Sequence, residues 1–434
     1  MRRAAALAGA LLAFGGALLA QAQAPPAPVA LGVETFDEAW AIVNRSYYDP
    51  AFRGVNWPAV RDELRPAAAR AASASELRGV IGRMLGRLGE SHFAVLPQFA
   101  DVTGDEAGDR SGSPGFEFRP DGDAMLVTRV EPKSPAFDAG MRAGDRVSAI
   151  EGVTIASLAA RLPASMPPRV RALELWRAAT LRLRGPIGSR LIASVQDQQG
   201  VRTRTIERID EPGQDVLLGN LPPMRLRVDA TAVETPSGSA AGVIRFNVWM
   251  AAADAQIADA VHRFRGSRGI VIDLRGNPGG LAGMIMGVSG HFFRERTALG
   301  SMRTRDNALT FYANPRLSRP DGARVEAFAG PVAILIDGLT GSASECFAGG
   351  MQAVGRARVF GETSMGQALP ASFSRLPNGD TLLHAIADFV TADGTRLEGR
   401  GVIPDEPVTL DAASLAAGRD PALVAALAWI DRQR

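Results

Sequence analysis

Val332-Ala333-Ile334-Leu335-Ile336 runs directly into Asp337-Gly338-Leu339-Thr340-Gly341-Ser342-Ala343-Ser344-Glu345, and this stretch decides the fold. Five consecutive apolar residues without polar alternation predict a strand buried on both faces, as in a largely parallel sheet covered by helices. A glycine-punctuated turn follows, and then an apolar helical run over 343–354. Strand, tight turn and helix in that order give an α/β core. Ser342 stands at the junction. It is either an ordinary helix N-cap or a hydroxyl exposed on a strand-to-helix turn, where free N–H groups face a developing oxyanion. The turn alone leaves the two readings even.

Working outward, the same grammar recurs. Ile270-Val271-Ile272-Asp273-Leu274 is a second buried strand, and Arg275-Gly276-Asn277-Pro278-Gly279-Gly280 follows it. Consecutive glycines let backbone N–H groups approach a ligand; the plainer reading is a tight turn. The G-x-G-x-x-G spacing of a dinucleotide fingerprint is missing. Val243-Ile244-Arg245-Phe246 is a third strand, with a helix expected over 252–264. The core is placed at 225–408, and 409–434 is read as a closing helix, strongest over 412–430.

Upstream the pattern changes. Gly115-Phe116-Glu117-Phe118, the turn at Asp121-Gly122-Asp123 and Met125-Leu126-Val127-Thr128-Arg129-Val130 read as short strands. Ser134-Pro135-Ala136 opens a short helix, and Val147-Ser148-Ala149-Ile150 is a further strand. Residues 101–113 are acidic, rich in Gly and Ser and read as a linker. Residues 33–95 carry helical periodicity through Phe36, Trp40, Ile42, Val43, Trp57, Val60, Leu64, Leu77, Ile81 and Leu85, so 31–100 is expected to be helical. At the N-terminus Arg2 and Arg3 precede an alanine-rich apolar run over 4–20. This reads as an export signal cut after Ala22, giving 1–22 as a signal peptide. The run is short and alanine-rich for a permanent membrane span.

Composition narrows the function. A formal charge of +2 with scattered arginines gives no reason to expect nucleic acid. Cys346 is the single cysteine, so no internal disulfide forms, and its apolar neighbours make it a buried hydrophobe. Four dispersed histidines and one cysteine show no metal-ligand spacing, and no cofactor is implied. Lys133 is the only lysine of the 434 residues.

Taken in order, Gly89-Glu90-Ser91-His92, the strand-rich region, the Asp273-to-Gly280 turn and Ser342-Ala343-Ser344-Glu345 form a series. Gly361-Glu362-Thr363 and Glu398-Gly399-Arg400-Gly401-Val402-Ile403-Pro404-Asp405 complete it. The series resembles the carboxyl-terminal processing and tricorn protease family. That resemblance implies an α/β multidomain protein: a helical N-terminal segment, a PDZ-like β-barrel over 113–205 and a crotonase-like α/β protease core. It further implies that Ser342 is the nucleophile, with an oxyanion hole from Ala343 N–H and Gly279 or Gly280 N–H. Ser344 is then a helix residue, not a second nucleophile. The PDZ-like domain, through Gly115, Phe116 and Phe118, would receive a peptide, its C-terminal carboxylate on backbone N–H groups.

One departure decides the base. Many members pair the serine with a lysine about 25 residues further on; here Gln367 stands at that place, and an amide accepts no proton at neutral pH. Lys133 lies in the PDZ-like region, so no displaced lysine replaces it. The tricorn-like branch instead uses the histidine of a Ser-His pair and a late glutamate, which Ser91-His92 and Glu398 match. A neutral imidazole takes the serine proton and returns it to the leaving amine. Ser91 or Glu398 would hold the ring; the plainer reading of Glu398 is a turn salt bridge with Arg396 or Arg400. His262, His291 and His384 are weaker candidates, with His384 kept in reserve. The expectation is an exported serine endopeptidase of the bacterial envelope, acting on unfolded or C-terminally exposed polypeptides. The alternative is a peptide- or lipid-binding pseudo-protease, for which Gln367 speaks.

Overall fold

The computed structural model describes residues 32–97, 111–218, 223–318 and 322–433. The signal-like N-terminus and most of the linker expected over 101–113 lie outside these residues.

Three helices come first: α1 (Gly32–Ser46), α2 (Trp57–Ala69) and α3 (Ala74–Gly86). Asn56 and Ser73 cap the second and third through their side chains. Their apolar faces close on one another around Phe36, Trp57, Ile81 and Met84. Leu376 and Leu382 join the same cluster, so the helical layer sits on a part of the core remote in sequence. The helical expectation for 31–100 fails at its end. Residues Ala94–Leu96 form β1, extended and paired antiparallel with a core strand, Leu96 opposite Thr381. Tertiary pairing overrides local pattern there, and it pins the chain just after His92.

The second unit is a six-stranded antiparallel sheet, with β2 (Phe116–Asp121), β3 (Ala124–Val130), β4 (Arg146–Ile150), β5 (Arg190–Asp197) and β6 (Gly200–Glu207) in spatial order β2-β3-β4-β5-β6 and the short strand Val153–Thr154 paired to β4 off that path. Helix α4 (Pro168–Leu183) closes its core, packing Leu175, Ala179 and Leu183 against Phe116, Phe118, Met125 and Val147. Among the described residues, strand β2 is the edge, with β3 its only strand partner.

The third unit carries a six-stranded sheet ordered β7 (Val228–Glu234), β8 (Ala240–Phe246), β9 (Ile270–Asp273), β10 (Val332–Ile336), β11 (Ala357–Gly361), β14 (Glu406–Pro407). Only β7–β8 is antiparallel; the other neighbours run parallel. All residues of β9 and β10 are buried, as the unbroken apolar runs require. On one face Val271, Ala333, Leu335 and Phe360 meet Ala422, Ala426 and Ile430 of the closing helix. On the other, Ile272, Ile334 and Ile336 meet α5 (Asp254–Arg263) and α6 (Ala343–Ala353). A small sheet joins β1, β13 (Thr381–Ala385) and β12 (Ala371–Arg375). The closing helix expected over 409–434 is two helices, Ala412–Ala416 and α7 (Pro421–Arg432). Gly418 at φ +71° and Pro421 at the first helical turn separate them.

Candidate active site

The turns after β9 and β10 emerge side by side, because Asp273 and Leu335 are register partners. Asp337 ties them: its Oδ1 accepts N–H bonds from Gly276 (2.9 Å) and Leu339 (3.0 Å). Gly279 then lies so close to the helix start that a Cβ on it would stand 2.6 Å from Ser342 Cβ and 2.9 Å from Ala343 N. Only glycine fits, and at φ +105° only glycine is unstrained. Ser342 itself has φ +53° and ψ −120°, a conformation costly for an L-residue that projects its hydroxyl from the turn.

The capping of α6 falls to Glu345. Its fully buried carboxylate accepts from Ser342 N–H (3.1 Å), Ser364 Oγ (2.6 Å), Gly366 N–H (2.7 Å) and Gln367 N–H (3.0 Å). Burial pushes its pKa up to about 7, against the pull of those four donors. Nothing in the sequence singled out Glu345, because a Glu at the third position of a helix looks like any capping residue. Gln367 contributes backbone here: its carbonyl accepts Ser342 N–H at 2.9 Å.

His92 reaches this turn from the end of the helical layer. Its Nε2 lies 3.2 Å from Ser342 Oγ. On the far side Nδ1 meets Ser91 Oγ at 2.8 Å, and Ser91 Oγ donates to Glu398 Oε2 at 2.9 Å. Glu398 also accepts from Ser91 N–H (2.8 Å) and Ala368 N–H (2.8 Å). The direction follows from counting protons. A hydroxyl has one, and Ser91 gives it to the carboxylate, so Nδ1 must be the protonated nitrogen and Nε2 the free base facing Ser342. Burial, with the Arg177 guanidinium adding to it, lowers the His92 pKa to about 4, so the ring is neutral at pH 7. Glu398 is raised by burial, while its three donors favour the anion.

For an oxyanion the donors differ in readiness. Gly279 N–H donates to Asn277 Oδ1 at 3.0 Å. Among the described residues, no acceptor is recorded for Gly280 N–H or Ala343 N–H. Ser344 is buried and accepts from Trp249 Nε1 at 2.8 Å, which leaves it a packing residue. Cys346 is buried, and burial raises its thiol well above the ordinary range. His384 is held between Ser46 Oγ (3.0 Å) and Ser374 Oγ (2.9 Å), both nitrogens occupied. His291 is buried behind Phe292.

Gly115, Phe116 and Phe118 stand apart from this cluster. Both phenylalanine side chains fill the core of the second unit, 5.9 Å apart edge to face. Gly115 N–H donates weakly to Ser113 Oγ at 3.3 Å. A peptide there would meet backbone, with the aromatic rings behind it. The same unit touches the core through Arg119 on β2, whose Nε donates to Asp337 Oδ2 at 2.6 Å.

Residues 240–408 match the family model described as peptidase family S41. Residues 33–86 match that of the tricorn protease C1 domain, and 126–177 that of a PDZ domain. The α/β core thus carries a peptidase family S41 domain. With that domain and relatives of the kind below, the chain is a serine-type peptidase with a PDZ domain set between a helical layer and an α/β core. A carboxyl-terminal-processing protease of Synechocystis sp. is 27% identical over 401 residues, covering 91% of this chain and 85% of the relative. In fold, this chain is similar to the photosystem II D1 C-terminal processing protease (TM-score 0.55, 23% identity, 88% of this chain and 93% of that one). It is also similar in fold to mature CPAF (TM-score 0.61, 13% identity, 93% and 99%). Among its described residues no helix is long and apolar enough to cross a membrane.

Proposed function

We propose that this S41 peptidase is an exported endopeptidase that cleaves unfolded or C-terminally exposed polypeptides with Ser342 as nucleophile and His92 as base. The observation that carries it is the 3.2 Å contact between His92 Nε2 and Ser342 Oγ, backed by Ser91 and Glu398 on the other nitrogen. A gap of this size needs no bridging water, which supports hydrolysis over binding alone. Export rests on the charged, apolar and small-residue order of 1–22.

In this reading Ser342 Oγ attacks the peptide carbonyl while Nε2 takes its proton. The oxyanion falls to Gly280 N–H and Ala343 N–H, and the helix start of α6 adds its dipole. The imidazolium formed is stabilised through Nδ1–H, Ser91 and the Glu398 anion. It then protonates the leaving amine. Water, deprotonated by the same Nε2, releases the acyl group from Ser342. The PDZ domain receives the polypeptide's C-terminus along the β2 edge.

Purified mature chain incubated with casein tests this. Ser342→Ala and His92→Ala are expected to lower cleavage by about 10⁴-fold or more, and Gln367→Ala to retain it. Cleavage surviving His92→Ala would give the base to another group.

A further inference from the structure

The mechanism leaves unused the carboxylate next to Ser91. Glu90 has a side chain only 4% exposed, yet it holds a full set of donors. Tyr47 Oη donates to Oε2 at 2.5 Å, Tyr48 Oη lies 2.8 Å from both oxygens, and Arg396 Nη2 donates to Oε1 at 2.7 Å. Arg53 Nη1 completes it at 3.3 Å. Burying a carboxylate so completely costs several kcal/mol unless it is paired.

Where these donors come from matters more than their number. Tyr47 and Tyr48 follow the last residue of α1. Arg396 lies two residues before Glu398 and also donates to Asp388 Oδ2 (2.7 Å) and to the Glu398 carbonyl (3.3 Å). One carboxylate thus joins the segment carrying Ser91 and His92 to the segment carrying Glu398. A second contact brackets the pair from the other side. The Tyr47 ring packs on Phe93, the residue after His92, with centroids 5.7 Å apart. Arg305 Nε in turn holds the Tyr47 carbonyl at 3.1 Å. Between these anchors His92 sits at φ +60°, a conformation a non-glycine residue keeps only when its surroundings over-determine it.

We propose that Glu90 is a positioning residue of the proteolytic relay, clamped by Tyr47, Tyr48 and Arg396 so that Ser91 and His92 stay in register with Glu398. It touches no reacting atom. Its work is to convert the fixed end of α1 into a fixed imidazole. The proposal rests on the serine–histidine reading given above.

The test uses the full mature enzyme, a quenched-fluorescence peptide, and the variants Glu90→Gln and Tyr47→Phe beside His92→Ala. Glutamine keeps the volume of Glu90 but turns one acceptor into a donor facing donors. For both variants kcat is expected to fall about 10- to 100-fold while KM stays within about threefold, since a small displacement of a catalytic group acts on the transition state. The acid limb of kcat/KM should also move up toward the ordinary histidine range, because a loosened ring meets water. Circular dichroism reports the folded fraction of each, and Tyr47→Phe, which deletes one hydroxyl, serves if Glu90→Gln folds poorly. A fall in kcat that merely tracks the folded fraction, with the acid limb unmoved, overturns the proposal. So does wild-type kcat in both folded variants, and neither result touches the serine–histidine reading. Activity in His92→Ala overturns that reading itself, and this proposal with it.

Discussion

His92 combines two features that pull against each other. Its backbone is strained at φ +60°, and its ring is a weak base, with a pKa lowered to about 4 by burial and by Arg177. The weakness has a use, since the neutral form that accepts a proton persists far into acid. The sign is direct: with His92 as the proposed base, activity needs neutral imidazole, and that fraction is lost only as pH falls through about 4. The expected kcat/KM profile with a peptide substrate is therefore flat from pH 7 to about 5 and falls below that. A limb in the ordinary histidine range would sink this assignment. At this scale the sequence was generous where residues carry a motif and silent where they carry only charge. Ser342, His92 and Glu398 were candidates through the motifs that carry the resemblance, and the structure brings the three into one hydrogen-bonded line through Ser91. Glu345 and Glu90 were not candidates. A carboxylate beside a serine in the chain looks like a solvated one until folding brings four donors around it.

Elements matter here chiefly through where they stop. Strands β9 and β10 end together, and their turns are drawn so close that Gly279 has no room for a methyl group. Gly279→Ala is expected to leave a folded protein with proteolysis reduced about 100-fold or more, because the shift it forces falls on Ser342 and Ala343 N–H at once. Wild-type kcat/KM in that variant would mean that the turn adapts and that these donors are elsewhere. The two buried strands were legible as unbroken apolar runs, and the glycines as a turn. Strand β1 was not. Phe93-Ala94-Val95-Leu96 has no alternation to mark it, and it is extended only because β13 offers it an edge. The closing helix was over-extended for the opposite reason: Ala and Leu continue the helical pattern across Gly418, and the left-handed glycine ends it all the same.

Across the whole molecule, three of the four histidines are buried enough to stay neutral, and each has its pKa lowered to about 4, chiefly by burial. An unfolded chain binds protons on these rings from about pH 6.5 downward, whereas the native one resists until about 4, so stability falls as pH drops through that window. Glu345 works in the other direction. Its raised pKa contributes stability that is complete at low pH and is lost as pH rises through about 7. The three rings set the direction of the change between pH 7.5 and 5, and Glu345 with the other raised carboxyls, Glu398 among them, offsets part of it. Thermal unfolding should show a midpoint several degrees lower at pH 5 than at pH 7.5; an unchanged or higher midpoint would contradict it. The order of units along the chain was readable from its motifs. How they seat on one another was not, since Arg119 with Asp337, and Leu376 with the α1–α3 cluster, are partners only in space. That separation has a consequence in time. His92 and Ser342 are 250 positions apart, and Ser91 and Glu398 are 307. During synthesis the imidazole leaves the ribosome long before the hydroxyl it faces, and the carboxylate that orders them comes later still. On the proposed reading, a growing chain therefore holds no complete set until Glu398 has been made.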